Sequence, residues 1–250
     1  MVEFHSEGSL VLDVSQINQI KSEAIFDYPN EAVWLLTSSG VFKVANVAEN
    51  KNCEFEVDRK TYLEAIKHGL KAVIHSHTDI GAYPSHTDMK SQLAMGLPWG
   101  IISTNGHICS DIQWLGANEK APLIGRKFVH GITDCYALIK DYYKLKLCIE
   151  LPEYPRSWEW WLQGDNLYLN NFSHAGFVKI DKREATVGDM WVAQIRSKVP
   201  NHAGVLDEDG LLLHHPANSK PIDTTALSRR EPASRWTPYI VAWYRHKDKK

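Results

Sequence analysis

The sequence has no Cys-x-x-Cys pair, no long uninterrupted apolar run and no marked excess of charge of one sign, and each absence removes a class of explanation. The four cysteines, Cys53, Cys109, Cys135 and Cys148, stand far apart, which argues against a disulfide framework and against a cysteine zinc knuckle. Thirty acidic residues balance 28 basic ones to a net charge of −2, so neither a nucleic-acid partner nor an anionic lipid surface is expected. Residues 91–110 carry no formal charge, but Gly96, Pro98, Gly100, Asn105 and Gly106 interrupt them; no membrane span is expected there. The start, Met1 to His5, lacks the basic and long apolar regions of a secretory signal, so the chain is expected to be made and folded in cytosol. A Gly-rich phosphate loop, an internal repeat and a low-complexity segment are also lacking. The basic ending, Arg245 to Lys250, reads as a solvated tail.

What is present is an ordinary globular composition, 44% hydrophobic and 23% charged, which excludes disorder over most of the chain. At 250 residues it can form two domains of ~120 residues or one large one. Ile17, Ile20, Ala24 and Ile25 recur at helical spacing up to Pro29 and predict a helix from about Ser15 to Tyr28. Residues 32–36 and 41–47 read as a hairpin about Thr37 to Gly40. A helix over residues 61–70 then feeds an apolar strand ending in His75 and His77. A third helix covers residues 85–95, and residues 99–104 and 107–115 surround Asn105-Gly106, a strong hairpin signal. Residues 116–122 carry no apolar periodicity and read as a boundary, giving domains over 1–117 and 118–250. In the second, a helix starting at Cys135 precedes strands over residues 190–195, 202–206 and 211–215. The expected order is an α/β domain followed by an α+β domain.

The densest chemistry lies between His75 and Asp88. A strand's period of two sends His75 and His77 to one face, and Asp88, in the first turn of the next helix, can turn back towards the strand end. Two imidazoles and one carboxylate leave a fourth tetrahedral position open, the catalytic rather than the structural arrangement for Zn2+. The simpler reading is that Ser85 and Asp88 form a capping box. The full series, His75-x-His77, seven residues, Ser85, two residues, Asp88, resembles the JAMM (MPN+) metalloproteases residue for residue. That resemblance implies zinc held by His75, His77 and Asp88, Glu31 of Pro29-Asn30-Glu31 as general base, Ser85 at the oxyanion, and hydrolysis of a peptide or isopeptide bond. It covers roughly residues 10–115. Many prokaryotic members carry glycine three residues after the glutamate, where this chain has Trp34, a change expected to bear on access; Glu23 is the fallback base.

In the second half, Cys135 at a helix N-terminus is placed where the macrodipole and free N–H groups lower a thiol's pKa. Such a nucleophile needs a base within reach and a group to orient that base. His202 opens a strand, and the following hairpin brings His214 or His215 opposite it. Thr133-Asp134-Cys135 with Leu138, and the strand from His202, resemble the NlpC/P60 cysteine peptidases, whose fold is papain-like and which act on bacterial peptidoglycan. The family's spacing selects His214 as the third residue. Here Tyr136-Ala137 replaces Ser-Gly after the nucleophile, and Phe128 stands where members carry a tyrosine; His130 is a candidate substitute. Trp158, Trp160 and Trp161 could form a ligand platform or pack beneath the loop.

A JAMM domain followed directly by an NlpC/P60 domain resembles the tail-tip hydrolases of lambda-like tailed phages. The resemblance implies other phage tail-tip and tail assembly proteins as partners, bacterial peptidoglycan as a substrate, and residence in the virion tail tip or an assembly intermediate. The alternative is a structural tail-tip adaptor whose sites are inactive or regulatory.

Overall fold

The computed structural model describes residues 12–117 and 120–250. The chain divides into two compact units, Met1–Lys120 and Ala121–Lys250. Residues 118 and 119, where the second domain is expected to start, and Met1 to His5 lie outside the described residues.

In the first unit, α1 (Val14–Asp27) opens on a capping box in which Asp13 and Gln16 satisfy each other's backbone N–H. Strands β1 (Val33–Thr37) and β2 (Gly40–Val44) form the first hairpin. Helix α2 (Arg59–Lys67), capped by Asp58, leads to β3 (Ala72–Thr78), and α3 (His86–Met95) leads to β4 (Trp99–Thr104) and β5 (Gln113–Leu115). The sheet order is β2-β1-β3-β4-β5, antiparallel except for the β3/β4 pair, which α3 connects. The interior β1 strand is buried on both faces, and alternation decides what each side chain meets. Trp34 and Leu36 pack with Ile20 and Ala24 of α1, whereas Leu35 faces a cleft on the other side. Trp34 therefore does not alter access to that cleft. Its indole N–H donates to Glu23 at 2.5 Å, which places the fallback base on the opposite face from the cleft. The hairpin after β4 is shorter than its sequence suggests: Asn105 accepts the N–H groups of His107 and Ile108, and beyond an isolated bridge between Thr104 and Cys109 it is Gln113–Leu115 that returns to the ladder. Side-chain competition for the backbone of this kind shortens strands.

The second unit begins with β6 (Lys127–Val129), then α4 (Cys135–Tyr142), the short α5 (Leu167–Asn171), and strands β7 (Phe177–Ile180), β8 (Met190–Ala193), β9 (His202–Leu206) and β10 (Leu211–His214). It ends with β11 (Ile222–Leu227), β12 (Arg229–Pro232), the single turn α6 (Ala233–Trp236) and β13 (Ile240–His246). An antiparallel sheet runs β12-β10-β9-β8-β13-β7, and β6 pairs with β11 apart from it. Leu138, Ile139 and Tyr142 of α4 press on Val192, Ala203, Val205 and Leu213, so helix and sheet share one core. Arg245 and Lys249 are not a solvated tail. Both pair with Asp189, which is fully buried, at 2.6 and 2.5 Å, because a buried carboxylate needs opposite charge beside it. Among the described residues, no helix is long and apolar enough to cross a membrane.

The β9/β10 hairpin is packed too tightly for any side chain at Gly204, where a Cβ would lie 2.5 Å from the Leu213 carbonyl oxygen and 2.8 Å from His214 Cβ. Gly204→Ala is expected to destabilise the second unit by ~1–3 kcal/mol or more through overpacking. Thermal melts followed by tryptophan fluorescence check this; an unchanged melting profile would show that the hairpin yields.

Candidate active sites

The first site is built by β3 and the start of α3. His75 and His77 leave β3 on the same face, as do the residues at every second position of a strand. Asp88 arrives from the first turn of α3. Both readings of this stretch hold together: Ser85 Oγ accepts the Asp88 N–H at 3.1 Å and Asp88 accepts the Ser85 N–H at 2.8 Å, while the same carboxylate lies 3.4 Å from His75 Nε2 and 3.3 Å from His77 Nε2. The capping box thus aims the carboxylate at the histidines.

The two Nε2 atoms are 3.1 Å apart, and all three groups are buried. His77 Nδ1 lies 3.2 Å from the Gly81 carbonyl oxygen, an acceptor only, so Nδ1 carries the hydrogen and Nε2 a lone pair in the neutral ring. That lone pair then faces a carboxylate, an arrangement that calls for a cation between them. Donor atoms bound at ~2.0–2.2 Å to a tetrahedral ion stand ~3.3–3.5 Å from one another, close to the spacings here. The donor set fits a metal ion. His75 Nδ1 is buried without a hydrogen-bond partner among the described residues; its ring is held by Phe55 at 4.5 Å and Trp99 at 5.6 Å between centroids.

His77 and Asp88 open on a cleft of about 660 Å³ that Glu31 and Ser85 also line. Glu31 is 4% exposed, and burial pushes its carboxyl up to about 7 against the opposing pull of His77. Asp88 goes the other way: burial would raise it, but His75 and His77 outweigh burial and hold it well below the usual carboxylate range. Two carboxyl groups in one cleft are thereby separated into one that stays ionised and one able to exchange a proton near neutrality.

The second site centres on Cys135, the first residue of α4. Asp134 caps that helix through the Ala137 N–H, holds the Gly131 N–H, and forms a two-pronged ion pair with Arg156 at 2.9 and 3.0 Å. The helix N-terminus does not outweigh burial at this thiol, contrary to the sequence expectation. Burial first, and the neighbouring Asp134 charge second, push Cys135 up to about 11, against weaker help from Tyr168 and Arg156. The macrodipole is worth a few tenths to ~1 kcal/mol at a helix end, less than the desolvation of a thiolate.

His202, at the start of β9, lines the same cavity of about 70 Å³ as Cys135. His214 sits across the hairpin, though not directly opposite. Its register partner is Gly204, and the diagonal contact brings His214 Nδ1 to 3.0 Å from His202 Nε2, within the reach of diagonal neighbours in a sheet. His215, at the next position, points the other way, to the carbonyl oxygens of Thr133 and Ala226 at 2.5 and 3.0 Å. Burial, together with His214, His215 and Arg229, holds His202 well below its ordinary pKa, and burial lowers His214 to about 4. The resting pair is a neutral thiol and a neutral imidazole.

Two residues that sequence reasoning missed complete the site. The Tyr168 hydroxyl lies 3.3 Å from Cys135 Sγ, whereas His130 turns to the Arg156 carbonyl oxygen at 3.1 Å. Tyr168 comes from α5, 33 residues after the nucleophile, in a stretch without periodicity; only its aromatic density hinted at a role. Glu231, on β12, accepts from His214 Nε2 at 2.9 Å, and nothing in Arg229-Arg230-Glu231-Pro232 marks it as more than loop. The tryptophans are neither an open platform nor an underside. Trp158 and Trp160 each meet Trp161 edge to face at 5.6 Å, and all three line the cavity wall.

Residues 15–115 match the family of prokaryotic homologs of the JAB domain, and residues 125–241 match the NlpC/P60 family. Tail tip assembly protein K of Escherichia phage lambda is 33% identical over 192 residues, spanning 74% of this chain and 87% of the phage protein. The protein of the same description from Escherichia phage N15 is 30% identical over 206 residues, 80% of this chain and 83% of its own length.

A thiol at about 11 has a thiolate fraction of roughly 10⁻⁴ at neutral pH. Alkylation of Cys135 by iodoacetamide, resolved from the exposed Cys53 and Cys148 by peptide mass spectrometry, is expected to rise about tenfold per pH unit from pH 7 to 10. A plateau below pH 9 would show a stabilised thiolate instead.

Proposed function

Because the chain belongs to the family of tail tip assembly protein K, a JAB-type domain followed by an NlpC/P60 domain, we propose that it is a tail-tip component with two peptidase centres. The cysteine centre cleaves peptidoglycan stem peptides during cell-wall penetration, and the zinc-dependent centre acts on a peptide or isopeptide bond during tail assembly. Its partners are the other tail-tip and tail assembly proteins and the bacterial wall, and its place is the virion tail tip or an assembly intermediate. The observation that carries the reading is that Cys135 and His202 line one cavity at the start of α4, with His214 Nδ1 3.0 Å behind His202 Nε2.

In the cysteine centre, the low thiolate population favours proton transfer in step with attack over a preformed ion pair. His202 takes the Sγ proton as sulfur bonds to the carbonyl carbon, and gives it to the amine as the C–N bond breaks. Water, deprotonated by His202, then releases the acid product and restores the thiol. Tyr168 is the hydroxyl nearest the developing oxyanion, in the place that Phe128 cannot fill. In the first centre, His75, His77 and Asp88 would hold a zinc ion, which when bound would supply a Lewis acid and a water of lowered pKa. Glu31 accepts and returns a proton there, and Ser85 offers its hydroxyl to the oxyanion.

A second reading, a tail-tip adaptor whose sites are idle, has in its favour the burial of the Cys135 thiol beneath Tyr168. Muropeptide analysis by mass spectrometry after incubation with peptidoglycan separates the two. New stem-peptide cleavage is expected, reduced at least ~10²-fold in Cys135→Ala; no cleavage, or cleavage that survives this substitution, overturns the peptidase claim. For the first centre, zinc at 100 times Kd is worth ~2.7 kcal/mol and is expected to raise the melting midpoint of chelator-treated protein by on the order of 10 °C. His75→Ala is expected to abolish the shift.

A further inference from the structure

We propose that Glu231 is a positioning residue that sets the tautomers of His214 and His202, leaving the lone pair on His202 Nδ1 as the acceptor for the Cys135 proton. This inference rests on the cysteine-peptidase reading only for its effect on rate, since the tautomers themselves can be observed directly.

The argument begins at the carboxylate. Glu231 Oε1 accepts from Arg229 Nε at 3.0 Å and Arg235 Nη1 at 2.8 Å; Oε2 accepts from Trp236 Nε1 at 2.7 Å and contacts His214 Nε2 at 2.9 Å. Guanidinium and indole nitrogens only donate, so this carboxylate is ionised and has only acceptors to offer. His214 must therefore present Nε2–H to it. A neutral ring carries one hydrogen, so His214 Nδ1 is bare and accepts across the 3.0 Å contact from His202 Nε2. His202 Nε2 is then the donor, and its lone pair lies on Nδ1. Each step follows from counting one proton per ring.

The surroundings hold this assignment in place. Trp236 covers both rings, at 4.5 Å from His214 and 5.1 Å from His202, and Trp191 lies at 5.7 and 5.4 Å from the same two. His214 is fully buried and Glu231 is 5% exposed, so water does not offer the His214 ring an alternative partner. The charged and titratable groups facing the pair are His215, Arg229 and, beyond the carboxylate, Arg235. Burial alone would raise Glu231, but the Trp236 N–H and Arg229 outweigh it and keep the carboxyl below its usual range. When His202 takes the thiol proton its ring becomes cationic, and the negative charge two links away favours that state without itself being protonated.

The test uses full-length protein labelled with 15N-histidine, with His202 and His214 assigned from single histidine variants. Wild-type spectra are expected to show both rings as Nε2–H tautomers. Glu231→Ala is expected to convert His214 to a mixture or to Nδ1–H, with kcat on peptidoglycan fragments falling on the order of 10²-fold or more and KM within about threefold. Glu231→Gln keeps an acceptor but loses the charge. It is expected to keep the tautomers, stay within about tenfold of wild-type kcat, and move the acid limb of the pH–rate profile to lower pH, because a cationic His202 is less favoured. An Nδ1–H signal for either ring in the wild type, or unchanged tautomers in Glu231→Ala, overturns the proposal. If Glu231→Ala does not fold, the wild-type spectrum and Glu231→Gln still decide. Wild-type protein with both tautomers as expected but no cleavage would leave the relay standing and remove the peptidase reading.

Discussion

The buried ion pair between Asp134 and Arg156 is the constraint on which the second domain's site depends. Asp134 caps α4, holds the Gly131 loop and binds Arg156 through both carboxylate oxygens. Arg156 in turn ties down Glu153 and the Tyr154 carbonyl oxygen, and so the start of the aromatic loop that walls the cavity. Removing one partner of such a pair costs ~3–5 kcal/mol, because the other charge is left buried alone. Burial first, and the Asp134 charge second, keep the proton on Cys135, so the proposed mechanism activates the nucleophile through His202 rather than through the helix dipole.

The two sites solve the positioning problem with the same device and different reach. In each, strands deliver the imidazoles, by the period of two along β3 in the first and across the β9/β10 hairpin in the second, and a helix N-terminus delivers the remaining group: Asp88 from α3, Cys135 from α4. The first site takes four of its groups, His75, His77, Ser85 and Asp88, from fourteen consecutive residues, 75–88, so one capping box suffices to aim the carboxylate. The second gathers Cys135, Tyr168, His202, His214 and Glu231 from five separate elements. Such a site exists only once the sheet is in register.

That difference decided what was legible. His75, His77 and Asp88 could be read as one group because strand and helix periodicities are local rules, and the two-domain order followed from element order in the same way. The sequence also supplied Cys135 and the pair His202 and His214 as candidates, since a helix start and a hairpin are local too. It gave no sign of β7 and β12. These are four residues each, and Arg229–Pro232 is polar, so both owe their conformation to the neighbours they pair with rather than to their own pattern, whereas Ile240–His246 carries β-branched and aromatic residues that are themselves a strand signal.

The sequence by itself determined which groups each local element carries: two histidines on one strand face, an aspartate in a first helical turn, a cysteine at a helix start, and a capping box that is also a donor to the histidines' site. Tertiary structure decided everything that depends on distance through space. It put Trp34 and Glu23 on the far face of the sheet from the cleft, raised the Cys135 thiol instead of lowering it, chose His214 by a diagonal contact and turned His215 away. It also brought Tyr168 and Glu231 to a site their own stretches do not announce. The physical reason is that burial and electrostatic coupling fall off with distance in space and are blind to separation along the chain.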